Sequence, residues 1–525
     1  MEQRLLRSLL NASAYPDHTE SVELIQTHVS YIFLTDRYVY KVKKPVDFGF
    51  LNFSTLDRRR FYCDEEVRLN RRLCPDIYLG VAQVRETLEG ASFFGNGRVI
   101  DYAVKMKRLP AERMLDRMLR ENRVTETHIR AVARAVGLFH QVAERGEEID
   151  AGGSLATIRA NWEENFQQAR LFRDITISGR DAQLIEAWVE RFMSEHADQF
   201  HQRVNGGFIR DCDGDIHMEN ICLRDEENVC IFDCIEFNTR FRHGDTAADI
   251  AFLLMDFDYH LRPDFSRIFL DEYIGITGDS EATAVLDFYK VYRAFIRGKV
   301  ESMRLQDPQI PEEEKVAARE RAGRYLRLAR GYVLRGALRR SLVITCGPTG
   351  SGKSFLAREL ALELGVAMAS SDVVRKELAG LEPTDRRAEA FGEGIYAEEA
   401  TARTYGALLD RAEAALSAGQ SIIIDATFRR RSDRRPFTVL AKSQGVPLVI
   451  IHATCPEETV RERLDARMND SREPSDGRWE IYLRQRDEFE PPGEREGAVI
   501  TVDTSQLAAE MADTILGAMG ILPCG

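Results

Sequence analysis

Apolar and polar positions change rhythm once along this chain. In the C-terminal part, short apolar runs at 341–346, 421–425 and 446–453 alternate with amphipathic segments at 353–364, 389–418 and 456–468. Buried strands alternating with helices predict a parallel sheet with helices on both faces. The N-terminal part is ordered differently. Strand-like runs at 29–42, 78–86 and 98–107 come first, with one helix at about 56–73 among them. Long helical patterns then dominate 124–205 and 246–335. A small sheet-rich lobe followed by a larger helical lobe, an α+β arrangement, is the expectation.

Between the two rhythms, from Pro311 to about Arg340, lies a mixed-charge stretch rich in helix formers, followed directly by the strand pattern SLVITC. The predicted division is therefore 1–335 and 341–525, with the charged helix closing the first half or acting as a stiff connector. A length of 525 residues is too great for a single core and fits two such units.

Composition narrows the function classes. The 72 Lys+Arg against 85 Asp+Glu give a net charge of −13, which argues against a protein that coats nucleic acid. Hydrophobic residues make up 44% and charged residues 30%, as in globular proteins. No run approaches the roughly 18 uncharged apolar residues of a membrane span, and the start lacks the apolar core of a secretory signal. The nine cysteines are odd in number, scattered and without a CxxC pair, so neither a disulfide framework nor a zinc site is expected. A reduced, cytoplasmic location is the resulting expectation.

The sharpest chemistry is Gly347-Pro348-Thr349-Gly350-Ser351-Gly352-Lys353-Ser354, a complete GxxxxGK[ST] between a strand and a helix. Glycines let backbone N–H groups close around phosphates, and the helix N-terminus adds partial positive charge. Lys353 neutralises the β/γ-phosphates, and the Ser354 hydroxyl ligates Mg²⁺. Asp425, at the end of SIIID, is the candidate acid holding that Mg²⁺ through water; the alternative is a strand-end cap of the next turn. In SSDVVRKEL, Asp372 and Arg375 are three apart, on one face of a first helical turn. An Asp there can take a proton from an attacking hydroxyl, and an Arg can hold an anionic acceptor. Asp372 can equally cap its helix. The basic run 429–435 suits a phosphodiester or an anionic metabolite, or simply a solvated helix start.

These motifs, with ETVRERLDARMNDSREPSD, resemble the P-loop kinases that include polynucleotide 5′-kinases, zeta-toxin-like kinases and small-molecule kinases, over residues 341–505. The resemblance implies Asp372 as general base, Arg375 as an acceptor contact, and Arg463 or Arg467 as a lid arginine on the transferring phosphate.

The first half carries a second set. Tyr38–Lys44 reads as a strand with lysines on one side, and Asp64-Glu65-Glu66 lies on the following helix. Asp215 and Asn220 stand five apart in a loop, and Asp233 ends the strand VCIFD. One acid on a substrate hydroxyl and two oxygen ligands on Mg²⁺ would suit such a trio. The set resembles the aminoglycoside-phosphotransferase branch of the bilobal protein-kinase-like fold over residues 20–330. That implies Asp215 as base, Asn220 and Asp233 as metal ligands, and Lys41 (or Lys43) paired with Glu65 (or Glu66) at the nucleotide phosphates. Met106–Pro110 resembles the hinge under adenine, and Asp249 a structural acid. Two features depart from the family: Asp213 stands where its first loop histidine would be, and no Gly-rich loop precedes Lys41.

A fusion of these two halves, the second an α/β P-loop NTPase, is the expected architecture. The expected activity is ATP- and Mg²⁺-dependent transfer of the γ-phosphate to a hydroxyl of a small molecule or of a nucleotide or polynucleotide end. The alternatives are a non-catalytic ATP-binding regulatory module in one half, or a nucleic-acid 5′-end repair kinase.

Overall fold

The computed structural model describes residues 3–49, 51–88, 90–308, 310–381, 394–468 and 478–522, with the side chains of 467 and 468 outside this set. The chain divides into two compact units. One comprises Met1–Arg173, Glu186–Phe257 and Asp264–Lys299; the other comprises Asp174–Ile185, Asp258–Pro263 and Val300–Gly525.

In the first unit, six strands form an antiparallel sheet: β1 (Glu23–Gln26), β2 (Ser30–Leu34), β3 (Tyr38–Lys43), β4 (Tyr78–Thr87), β5 (Gly90–Ser92) and β6 (Val99–Lys107). Their order is β1-β2-β3-β6-β4-β5. The period-two pattern of β3 sends Tyr40 and Val42 into one apolar cluster with Phe33, Val84 and Phe93. Lys41 and Lys43 therefore project from the opposite face, toward the helix Leu56–Asn70. That helix starts at Thr55, whose side chain accepts from the Arg58 N–H. The helical lobe follows, interrupted by two small ribbons that carry the loop chemistry: β7 (Ile209–Asp211) with β10 (His243–Asp245), and β8 (Ile221–Leu223) with β9 (Val229–Ile231). Cys74 and Cys230 are joined by a disulfide, with Cα atoms 4.9 Å apart. The sequence predicts no such bond, because partners separated by 156 residues share no local spacing.

In the second unit, β11 (Leu342–Cys346), β12 (Ala367–Ser370), β13 (Ile422–Asp425), β14 (Leu448–Thr454) and β15 (Ala498–Asp503) form a parallel sheet ordered β12-β13-β11-β14-β15. Both faces are apolar, for a reason visible in the strands. Val343, Ile423, Val449 and Ile451 pack on one side with Leu356 and Leu360 of helix Lys353–Leu364. Leu342, Ile344, Ile422 and Ile424 pack on the other with Leu408 and Phe437, from helices Glu398–Ser417 and Arg431–Ser443. Continuous apolar strands are what a sheet covered twice requires.

The expected boundary at 335–341 shifts. Helix Glu312–Leu334 belongs to the second unit, where buried Arg330 pairs with Glu363 of the Lys353–Leu364 helix and with Asp181 and Asp513. Its charged residues suggested the closing helix of the first half or a stiff connector, but Arg330 is a core ion pair and Leu326, Leu328 and Leu334 of the same helix are buried. Among the described residues, no helix is long and apolar enough to cross a membrane.

Candidate active sites of the two halves

The phosphate loop leaves β11 and enters helix Lys353–Leu364. Gly352 has φ +80°, and a Cβ there would lie 2.6 Å from the Thr504 hydroxyl, so only glycine fits. The Ser351 hydroxyl is buried with no hydrogen-bond partner among the described residues. An orphaned donor beside a glycine cradle fits a phosphate. From behind, Thr504 donates to the Ser351 carbonyl at 2.7 Å, and Arg463 donates to the Thr504 hydroxyl and carbonyl at 2.9 and 2.6 Å. Arg463 thus braces the loop. The other arginine implied by resemblance, Arg467, has its side chain outside the described residues.

A cavity of about 650 Å³ opens over this loop. Lys353, Ser354, Asp372, Arg375 and Asp425, drawn from three separate segments, all line it. Asp425 is buried and accepts from the Thr345 hydroxyl on the neighbouring strand at 2.9 Å. Asp372 lies inside helix Ser371–Leu378, whose N-cap is Ser370, so capping does not account for it. Arg375 is held by the Ile395 carbonyl at 2.9 Å and the Thr401 hydroxyl at 3.1 Å, and its guanidinium sits 5.0 Å over the Tyr396 ring. Its Nε is buried without a hydrogen-bond partner among the described residues.

The basic run resolves into different jobs. Arg434 is fully buried and forms two hydrogen bonds to Glu496, making it core structure. Arg429 and Arg430 line the cavity but both pair with Glu488 at 3.3 and 3.2 Å. Gln485 was not anticipated. Its side-chain carbonyl accepts from the Thr349 N–H at 2.7 Å, which no motif spacing could have indicated.

In the first unit, Lys41 pairs with Glu66 at 2.9 Å and also with Asp233. Glu65 is not the partner. It turns outward and pairs with Arg68 at 2.8 Å, because adjacent helical positions differ by about 100° and only Glu66 faces the sheet. Asp233 has φ +66°, and its N–H donates to the Tyr78 hydroxyl at 3.2 Å. The Asp215 carboxylate accepts from the Asn220 side chain at 3.1 Å and lies 3.5 Å from His217 Nε2. Burial pushes the Asp215 carboxyl up, but His217, Arg297 and Arg293 outweigh it and hold it below the ordinary value. It is therefore ionised, as a base must be.

Asp249 fixes this loop from below. Its carboxylate accepts from the N–H groups of Asp213 and Gly214 at 3.1 and 2.8 Å and from His140 Nε2 at 3.0 Å. His140 was missed, since a histidine in a helix 109 residues upstream carries no local signal. Asp213 is buried beside two acids; burial, then Asp249 and Asp215, push its carboxyl up to about 8. His140, Cys212 and Asp249 converge closely, but both His140 nitrogens and both Asp249 oxygens already have partners, so the group reads as loop support.

Residues 62–289 match the family model APH, the phosphotransferase enzyme family, and residues 342–492 match AAA_33, an AAA domain. Fold and family models together define a two-domain phosphotransferase of kinase type. The chain is 30% identical over 446 residues to the uncharacterized protein Rv2004c of Mycobacterium tuberculosis, spanning 85% of this chain and 86% of that protein. The same figures hold for the uncharacterized protein Mb2027c of Mycobacterium bovis. The chain belongs to the family these proteins represent, and within it the phosphotransferase-family region precedes the P-loop kinase region. Among solved structures, a sugar kinase from Janibacter sp. is 21% identical with a TM-score of 0.28, covering 35% of this chain and 96% of its own. A choline/ethanolamine kinase family protein from Mesorhizobium loti is 10% identical with a TM-score of 0.38, covering 62% and 98%.

Proposed function

We propose that the protein transfers the γ-phosphate of ATP to a hydroxyl of a small acceptor, with the P-loop half as the principal catalyst. The observation that carries this reading is the convergence of Lys353, Ser354, Asp372, Arg375 and Asp425 on one cavity. In it, Lys353 and the loop N–H groups would hold the β/γ-phosphates, and Ser354 and Asp425 are the residues that would hold Mg²⁺. Bound MgATP supplies the phosphoryl group and the charge neutralisation around it. Asp372 accepts the proton of the acceptor hydroxyl, and Arg375, fixed by three neighbours, orients an acceptor bearing negative charge.

The second half of the reading assigns Asp215 as the base of a further transfer site, with Asn220 and Asp233 as Mg²⁺ ligands and Lys41 at the nucleotide phosphates. Its supporting observation is that the Asp215 carboxylate accepts from the Asn220 side chain at 3.1 Å, while His217, Arg297 and Arg293 favour its charged form. A small acceptor is favoured over a nucleic-acid end because Arg429, Arg430 and Arg434 are already paired with Glu488 and Glu496. The test is transfer from γ-labelled ATP by the full chain and its Lys353→Ala and Asp215→Asn variants. The acceptors are sugars, aminoglycosides, nucleosides and 5′-hydroxyl oligonucleotides. Lys353→Ala removes most turnover. If Asp215→Asn changes no transfer, the first half is a non-catalytic module. Labelled oligonucleotides alone would favour end repair.

A further inference from the structure

Two lysines, not one, meet the buried glutamate of the first unit. Lys41 and Lys43 are two apart on β3 and point the same way. Glu66, with no exposed side-chain surface, offers one oxygen to each: Oε1 to Lys41 at 2.9 Å and Oε2 to Lys43 at 2.6 Å. Lys43 is itself buried, pairs a second time with Glu236, and sits 4.8 Å over the Phe53 ring. Glu236 follows Asp233 by three residues, so the link runs from β3 through Glu66 and Lys43 to the segment carrying a Mg²⁺ ligand. Lys41 has a different second partner, Asp233.

The two lysines are therefore not equivalent. A nucleotide phosphate would draw the Lys41 ammonium away from Glu66, and a buried carboxylate stripped of its only cation is strongly destabilised. Glu66 keeps a second cation that cannot follow, because Lys43 is enclosed and anchored by Glu236. We propose that Lys43 is a positioning residue: it stays on Glu66 as a standing counter-charge, so that Lys41 can be handed to the nucleotide without leaving a bare buried acid. This rests on the reading of Lys41 as the nucleotide-phosphate lysine.

The test uses the full chain in a Lys353→Ala background, titrated with a fluorescent ATP analogue and Mg²⁺, with thermal melts alongside. Lys43→Met alone leaves two buried acids short of charge and can fail to fold, so the informative variant is Lys43→Met/Glu236→Gln. That variant folds, because Lys41 still neutralises Glu66, but its affinity for the nucleotide falls by about tenfold or more, since Lys41 is now retained. Adding Glu66→Gln releases Lys41 and recovers affinity. A merely structural role for Lys43 predicts no recovery from a third substitution. Unchanged affinity in Lys43→Met/Glu236→Gln, or no recovery on adding Glu66→Gln, overturns the proposal while leaving the Lys41 assignment standing. If Lys41→Met does not weaken binding, that assignment fails, and the proposal with it.

Discussion

The hydroxyl of Thr345 donates to Oδ1 of Asp425 at 2.9 Å, across the parallel register that sets these two residues side by side on β11 and β13. A threonine one position from the end of an apolar strand thereby fixes the rotamer of a buried acid next to the phosphate loop. Thr345→Val keeps the shape and removes the donor. A hydrogen bond to a charged group is worth about 1.5–3 kcal/mol, so the variant should lose that much stability in denaturant unfolding. It should also need more Mg²⁺ for half-maximal ATP turnover, by up to about 10-fold, the low end of the effect of losing a partner of a direct metal ligand, because Asp425 is proposed to reach the ion through water. An unchanged Mg²⁺ requirement would count against the proposed role of Asp425 at the metal.

Glu65 and Glu66 are neighbours with opposite fates. Glu65→Gln affects an exposed ion pair and should change stability by no more than about 0.5 kcal/mol. Glu66→Ala leaves the half-buried Lys41 and the buried Lys43 with one fewer partner each, and should cost about 3–5 kcal/mol. Urea unfolding of the two variants checks the contrast, and equal effects would contradict the observed pairing.

Asp213 gives a pH signature. Its carboxyl is pushed up to about 8, first by burial and then by Asp249 and Asp215, whereas an unfolded aspartate titrates near ~3.9. The folded protein therefore holds this proton more tightly than the unfolded chain does. Its contribution to stability is full below about pH 4, falls as pH rises toward 8, and is flat above. Asp213→Asn cannot lose a proton, so the variant's melting temperature should gain on the parent's progressively from pH 5 to 8. A difference between the two that does not vary with pH would show that Asp213 titrates normally.

What could be read from sequence was local. The strands of the second unit show themselves because a sheet covered on both faces needs uninterrupted Val, Ile and Leu, and the phosphate loop because its glycines have fixed spacing. The helix 353–364 was placed at its observed ends for the same reason. Facing was not local. Glu66 rather than Glu65 meets Lys41 because of where the sheet lies, which the helix's own pattern does not record. Arg434 looked like part of a basic patch and is a core cation, because its partner Glu496 lies 62 residues away. Arg330 moved the expected boundary for a similar reason, its partners being Asp181, Glu363 and Asp513. Buried charge pairs between distant segments leave no periodicity to detect.

The central claim is that the P-loop cavity performs phosphate transfer. Lys353 is the residue whose loss tests it with least ambiguity, since it lines the cavity and stands at the end of the phosphate loop. The decisive measurement is the rate of transfer from γ-labelled ATP to the best acceptor of the panel, for the full chain and for Lys353→Ala, with melting temperatures recorded for both. The account predicts that the variant melts as the parent does and loses most of its transfer. Transfer by a folded Lys353→Ala chain at the parent's rate would contradict it.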